Sequence, residues 1–145
     1  MSRSNEVPTF DPVTRTRFHP GLRLETWHPQ GMLDIVLATT IAHYIGFEEA
    51  VADEPFNRFS DLSGLWAIRL DFQEIADLVA LRRDSYKGGA AVKSAVLATS
   101  PAAYGAATMF AAMMESSPIE VWVFQNATHA ADWLGVPEEA LRVDE

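Results

Sequence analysis

Apolar and polar residues alternate along Leu22-Arg23-Leu24-Glu25-Thr26-Trp27, the pattern of a strand with one buried face. Pro29-Gln30-Gly31 has turn chemistry, so Met32–Ala38 reads as the returning strand of an N-terminal hairpin. Thr39 or Thr40 then caps a helix over Ile41–Ala52. Gly46 is its weak point, at about 1 kcal/mol less favourable than alanine. Arg58–Leu62 is a short strand closed by Ser63-Gly64, and Leu65–Leu70 is either a strand or a connector.

The remainder of the chain has clearer punctuation. Asp71 followed three residues later by Glu74 is a capping box. It opens a helix whose apolar face is Phe72, Ile75, Ala76 and Val79, with Arg82, Arg83 and Asp84 towards its solvated end and Gly88-Gly89 beyond it. Ala91–Ala98 is apolar enough for a central strand buried on both faces. Ser100 caps the next helix and Pro101 occupies its first turn, where the missing N–H costs nothing. Ile119–Phe124 is another strand, and Asn126 or Thr128 starts a last helix that stops at Gly135. From residue 58 strands alternate with helices, which calls for a mostly parallel sheet with right-handed crossovers. The expected fold is α/β: an open, mostly parallel sheet of four or five strands, an N-terminal hairpin and about four flanking helices.

Length and charge add boundaries. At 145 residues the chain is one domain's worth and can bury a core without staples. Residues 1–20 hold three prolines and read as an extended arm, leaving 21–145 as a single domain. The net charge of −9 divides into +2 over residues 1–23 and −11 over the remainder. An acidic body repels phosphates, so nucleic acid is not an expected partner. The first twenty residues contain no apolar run of the kind a secretory leader needs. Ser94–Met114 is 21 residues without a charge, but Thr99-Ser100-Pro101 breaks it and alanine dominates the rest, so no membrane span is expected. With no cysteine, thiol catalysis, disulfides and cysteine-based metal sites are excluded, and a cytoplasmic protein is expected.

Candidate chemistry is sparse. His19, His28, His43 and His129 show no paired ligand spacing, so neither a metal nor a cofactor is expected. His129 and Asp132 lie three apart on a helix, yet no serine sits in a nucleophile elbow to complete a set with them. No enzymatic constellation is assigned. The helix Pro101–Met114 carries no charge on any face, although a surface helix ordinarily shows a polar stripe. Tyr104, Thr108, Met109 and Met113 are therefore candidate interface residues for a homodimer.

Several phrases occur in an order that resembles the SpoIIAA-like family of small bacterial domains, related to STAS domains and anti-sigma-factor antagonists. They are Phe56-Asn57-Arg58-Phe59-Ser60-Asp61-Leu62-Ser63-Gly64-Leu65, Val92-Lys93-Ser94-Ala95, Ser100-Pro101-Ala102-Ala103-Tyr104-Gly105 and Ala131-Asp132-Trp133-Leu134-Gly135. The resemblance spans roughly Leu22 to Val136 and implies an open sheet flanked by helices. It also implies one of two activities, regulation of a partner protein or binding of a small apolar or lipid-like ligand. Asp61-Leu62-Ser63-Gly64 matches the first motif of the phosphorylated antagonists. Arg69-Leu70-Asp71-Phe72 stands where their second motif carries the phosphoacceptor serine, and it offers no hydroxyl.

In open α/β sheets ligands bind beyond the carboxyl ends of the strands. That edge gathers Trp66, Leu70, Phe72, Ser100 and Tyr104 as candidate ligand-binding residues, a mixture of aromatic walls and hydrogen-bonding groups. The expected function is thus a non-enzymatic STAS-like regulatory or protein-interaction module without the phosphoacceptor serine. The alternative is a binder of a small apolar or lipid-like ligand at the strand carboxyl edge.

Overall fold

A computed structural model describes residues 15–142. Its main sheet has five strands in the order β1-β2-β4-β6-β7. These are β1 (Arg17–His19), β2 (Leu24–Trp27), β4 (Asn57–Asp61), β6 (Val92–Leu97) and β7 (Ile119–Phe124). All neighbours are parallel except β1 and β2, which run antiparallel with Phe18 opposite Glu25. The chain is mostly parallel α/β, as its alternating pattern requires. A second, two-stranded parallel sheet pairs β3 (Gly31–Asp34) with β5 (Leu65–Arg69). Three helices connect these strands, α1 (Ile35–Val51), α2 (Phe72–Ser85) and α3 (Pro101–Met113), and α4 (Ala127–Leu134) follows β7. Among the described residues no helix is long and apolar enough to cross a membrane.

The N-terminal hairpin exists but is built one strand earlier than its expected position. Strand β2 returns on β1 through a 3-10 turn at Pro20–Leu22, and Arg23 closes that turn in the left-handed region. Strand β3 does not fold back on β2; it leaves the main sheet to pair with β5. Its extent is also shorter than Met32–Ala38, because the Asp34 carboxylate accepts from the Leu37 backbone N–H at 2.9 Å and starts α1 there. Thr39 and Thr40 are not caps. Their hydroxyls donate back to the Ile35 and Val36 carbonyls inside the helix, each at 2.7 Å. Residues 1–14 of the expected arm lie outside the described residues, while Arg17–His19 supply the edge strand and Phe18 stacks edge-on against Phe56.

The other punctuation works as its chemistry dictates. Asp71 and Glu74 form both bonds of the capping box at 2.8 and 3.0 Å. Ser100 and Asn126 cap α3 and α4. Gly135 ends α4 with a φ of 74°, a left-handed conformation that glycine adopts without a Cβ clash.

Two layers of core result. On one face of the sheet Leu24, Phe59, Ala95 and Leu97 pack against Ala130, Ala131 and Leu134 of α4. The opposite face looks towards α1, α2 and α3, and it is there that polar residues enter the interior.

Candidate functional site

Side chains alternate across a strand, so the register determines what the second face carries. Arg58 lies beside Ser94 and Glu25, and Ser60 beside Val96 and Trp27, all on the face away from α4. Helices α1 and α3 present alanines to that face, notably Ala38, Ala42, Ala106 and Ala107. Small side chains at helical spacing cannot reach the sheet, and a cavity of about 160 Å³ remains between the layers. Ile41, Ile45, Leu78 and Phe110 complete most of its apolar wall. Pro29, Leu33, Leu62 and Ile68 form the end nearest the strands' carboxyl edge. The cavity therefore lies over the sheet face, reaching the edge only at this end.

The polar part of the wall is unusual in its composition. Arg58, Arg82, Ser60, Ser94 and Trp27 contribute to it, whereas the neighbouring carboxylates Glu25 and Glu49 do not. Glu49, from the last turn of α1, sits behind the two arginines. Its Oε2 accepts from Arg82 Nη2 and lies 2.9 Å from Arg58 Nη2, with all three side chains nearly inaccessible. Arg58 Nη2 is ion-paired there, while Arg58 Nε and Nη1, Glu25 Oε1 and Glu49 Oε1 have no hydrogen-bond partner among the described residues. Trp27 Nε1 is likewise buried without one.

The plane of Arg58 is held by aromatic rings. Its guanidinium carbon lies 4.6 Å from the Phe56 centroid and 5.4 Å from that of Tyr86. Burial pulls the Arg58 pKa down, and Glu49 opposes that pull. Glu25, opposite Arg58 in the β2–β4 register, is pushed up to about 7 by burial and by Glu48.

No family model and no curated protein matches the chain. Among solved structures it is similar to the crystal structure of an uncharacterised protein of the DUF3478 family, with a SpoIIAA-like fold, from Shewanella loihica PV-4. That likeness covers 77% of this chain and 83% of the other, with a TM-score of 0.50 and 18% identity. The chain has a SpoIIAA-like fold.

On this SpoIIAA-like fold the residues singled out from sequence fall in different places. Leu70 lines the cavity. Trp66 and Phe72 are exposed and outside its wall, Ser100 is occupied in capping α3, and Tyr104 faces outward from α3. Of the candidate interface residues, Tyr104 and Met109 are on the outer face of α3, and Thr108 bonds back to the Tyr104 carbonyl at 2.6 Å. Met113 packs inward against the cluster around Ile75 and Val79. Arg82 is not at a solvated helix end; it is buried and paired with Glu49. Arg83 and Lys93 instead serve as cations at helix carboxyl ends, donating to Glu115 O at 3.0 Å and Trp133 O at 2.9 Å. The His129 ring meets the Asn126 amide at 3.2 Å. His28 Nε2 is 2.8 Å from the Leu141 carbonyl oxygen, which ties β2's end to the C-terminal segment.

Sequence reasoning missed Trp27, Arg58, Arg82 and Glu49, although a signal for two of them was present. Arg82 continues the apolar spacing of Ile75 and Val79, so it belongs to the buried face of α2. Arg58 precedes Phe59 in a central parallel strand, where both faces are covered and a charge must be accommodated inside.

Proposed function

We propose that this protein is a non-enzymatic binding protein for a small apolar ligand, held between the sheet and helices α1, α2 and α3. The observation that carries the reading is the cavity itself. An apolar cavity of about 150 Å³ stays dry and admits a benzene-sized guest, and this one is of that size. Close-packed interiors seldom leave such a space unfilled.

A ligand that binds only the folded state stabilises it by roughly 2.7 kcal/mol at a hundredfold excess over Kd. For a chain of this length that raises Tm by about 10 °C. Thermal melts with a panel of small aromatic and aliphatic compounds are expected to show such shifts. Ala42→Leu should fill the cavity and abolish them, while Trp66→Ala, a change outside the wall, should leave them intact. Ligand-induced shifts that survive Ala42→Leu in a folded protein would sink the reading.

A second reading is a regulatory module that acts through a protein partner, working as a homodimer and without a phosphoacceptor hydroxyl at Arg69–Phe72. It is favoured by the uncharged outer face of α3, where Tyr104 and Met109 are exposed. Light scattering at micromolar concentration tests the dimer, which should weigh twice the 16.0 kDa chain. A monomer at that concentration counts against it. The cysteine-free, acidic composition supports a cytoplasmic location for either reading.

A further inference from the structure

The polar wall of the cavity includes donors that lack a hydrogen-bond acceptor. Arginine and tryptophan side chains carry N–H groups and no lone pair to accept with. Arg58 Nη2 is ion-paired with Glu49, while Nε and Nη1 of Arg58 and Nε1 of Trp27 are buried without a hydrogen-bond partner among the described residues, as are the acceptors Glu25 Oε1 and Glu49 Oε1. Leaving buried donors unpaired is costly, and more so where the group is charged. Both side chains border the cavity, and Trp27 lies two residues beyond the Glu25–Arg58 register pair on the same sheet face.

Charge points the same way. Two guanidinium groups share a single carboxylate oxygen, Oε2 of Glu49. Glu25, the other acid beside Arg58, carries only part of a charge near neutral pH because burial raises its pKa to about 7. Neither acid reaches the cavity wall. A guest therefore meets surplus positive charge, and a guanidinium clamped between Phe56 and Tyr86 is already oriented for a planar acceptor.

Building on the cavity-binding reading above, we propose that the guest is a compact monocarboxylic acid. Its carboxylate takes the N–H groups of Arg58 that Glu49 leaves unpaired, with Trp27 Nε1 as a further donor. Its apolar body occupies the space left by Ala38, Ala42, Ala106 and Ala107. A single negative charge matches two guanidinium groups that share one glutamate oxygen, and the cavity volume suits a body of benzene or hexane size.

Isothermal titration of the full chain at about pH 6, where Glu25 is mostly protonated and the guest acids are ionised, tests this with matched pairs: benzoate against benzyl alcohol, and hexanoate against hexan-1-ol. The acids should bind at least tenfold more tightly than the alcohols. Trp27→Phe removes the donor and leaves a smaller ring, so its effect is read as the ratio of acid to alcohol affinity. That ratio should fall about threefold to tenfold. Arg58→Met, checked for folding by circular dichroism, should erase the preference for the acid. Equal affinity for acid and alcohol in the unchanged chain would overturn the carboxylate inference while leaving the apolar-cavity reading standing. Binding of neither class would overturn both.

Discussion

Glu49 stands in the last turn of α1, where the carbonyl end of a helix disfavours a carboxylate. It is tolerated because Arg58 and Arg82 converge on it in the interior. Removing one partner of a buried ion cluster strands the other charges, at about 3–5 kcal/mol. Glu49→Ala is expected to cost that much in urea unfolding. Glu54→Ala, which breaks the exposed Arg23–Glu54 pair, should cost within about 1 kcal/mol. Glu25 gives a pH signature. Its pKa is about 7 in the folded state against 4.5 for an ordinary glutamate, so folding favours its protonated form. The resulting destabilisation is absent below pH 4.5, grows as the pH rises to about 7, and is constant above. Relative to the unchanged chain, Glu25→Gln should therefore gain roughly 1–3 kcal/mol between pH 4.5 and 8, read from paired denaturation curves. None of these residues stood out as a site in the sequence. Glu25 and Arg58 are thirty-three positions apart in number and meet only through strand pairing.

Helix starts were the most legible elements, because a cap is settled within four residues. Asp71, Ser100 and Asn126 each accept from the backbone N–H three residues on, as their side chains allow. Asp71→Ala should remove the capping box of α2 and lower stability by about 1–2 kcal/mol, measurable as a lower urea midpoint with an unchanged slope. The start of α1 was less legible. Asp34 is also a capping residue, but it lies inside the apolar run Met32–Ala38, where periodicity suggested a continuing strand. The same run decides how β3 pairs. Its partner is β5, thirty-four residues along the chain, so a local turn at Pro29-Gln30-Gly31 could not reveal it.

Across the whole molecule the sheet separates a close-packed side from an open one. Phe59 is fully buried against the α4 layer, and Phe59→Ala should cost about 3–5 kcal/mol by leaving a void that neighbours cannot fill. Ile45, on the cavity wall, already faces empty space on one side. Ile45→Ala should cost less than the Phe59 change, about 1–2 kcal/mol, because fewer packed contacts are lost. Comparing both in one set of denaturant melts tests the asymmetry of the two layers. Two equal losses would mean that the helical side is as tightly filled as the α4 side.

The chain's own pattern was enough for the fold class, the strand–helix alternation from residue 58, the caps and the glycine at the end of α4. Each of these depends on periodicity or on atoms a few residues apart. The hairpin partner of β2, the separate β3–β5 pair, the Arg58–Glu49–Arg82 cluster and the cavity were decided by the tertiary structure. They depend on register between distant strands and on how closely alanine-faced helices approach the sheet. The resemblance at Asp61-Leu62-Ser63-Gly64 and the general rule for open sheets directed attention to the strand ends. The space lies over the sheet face instead, because small side chains on α1 and α3 leave it there.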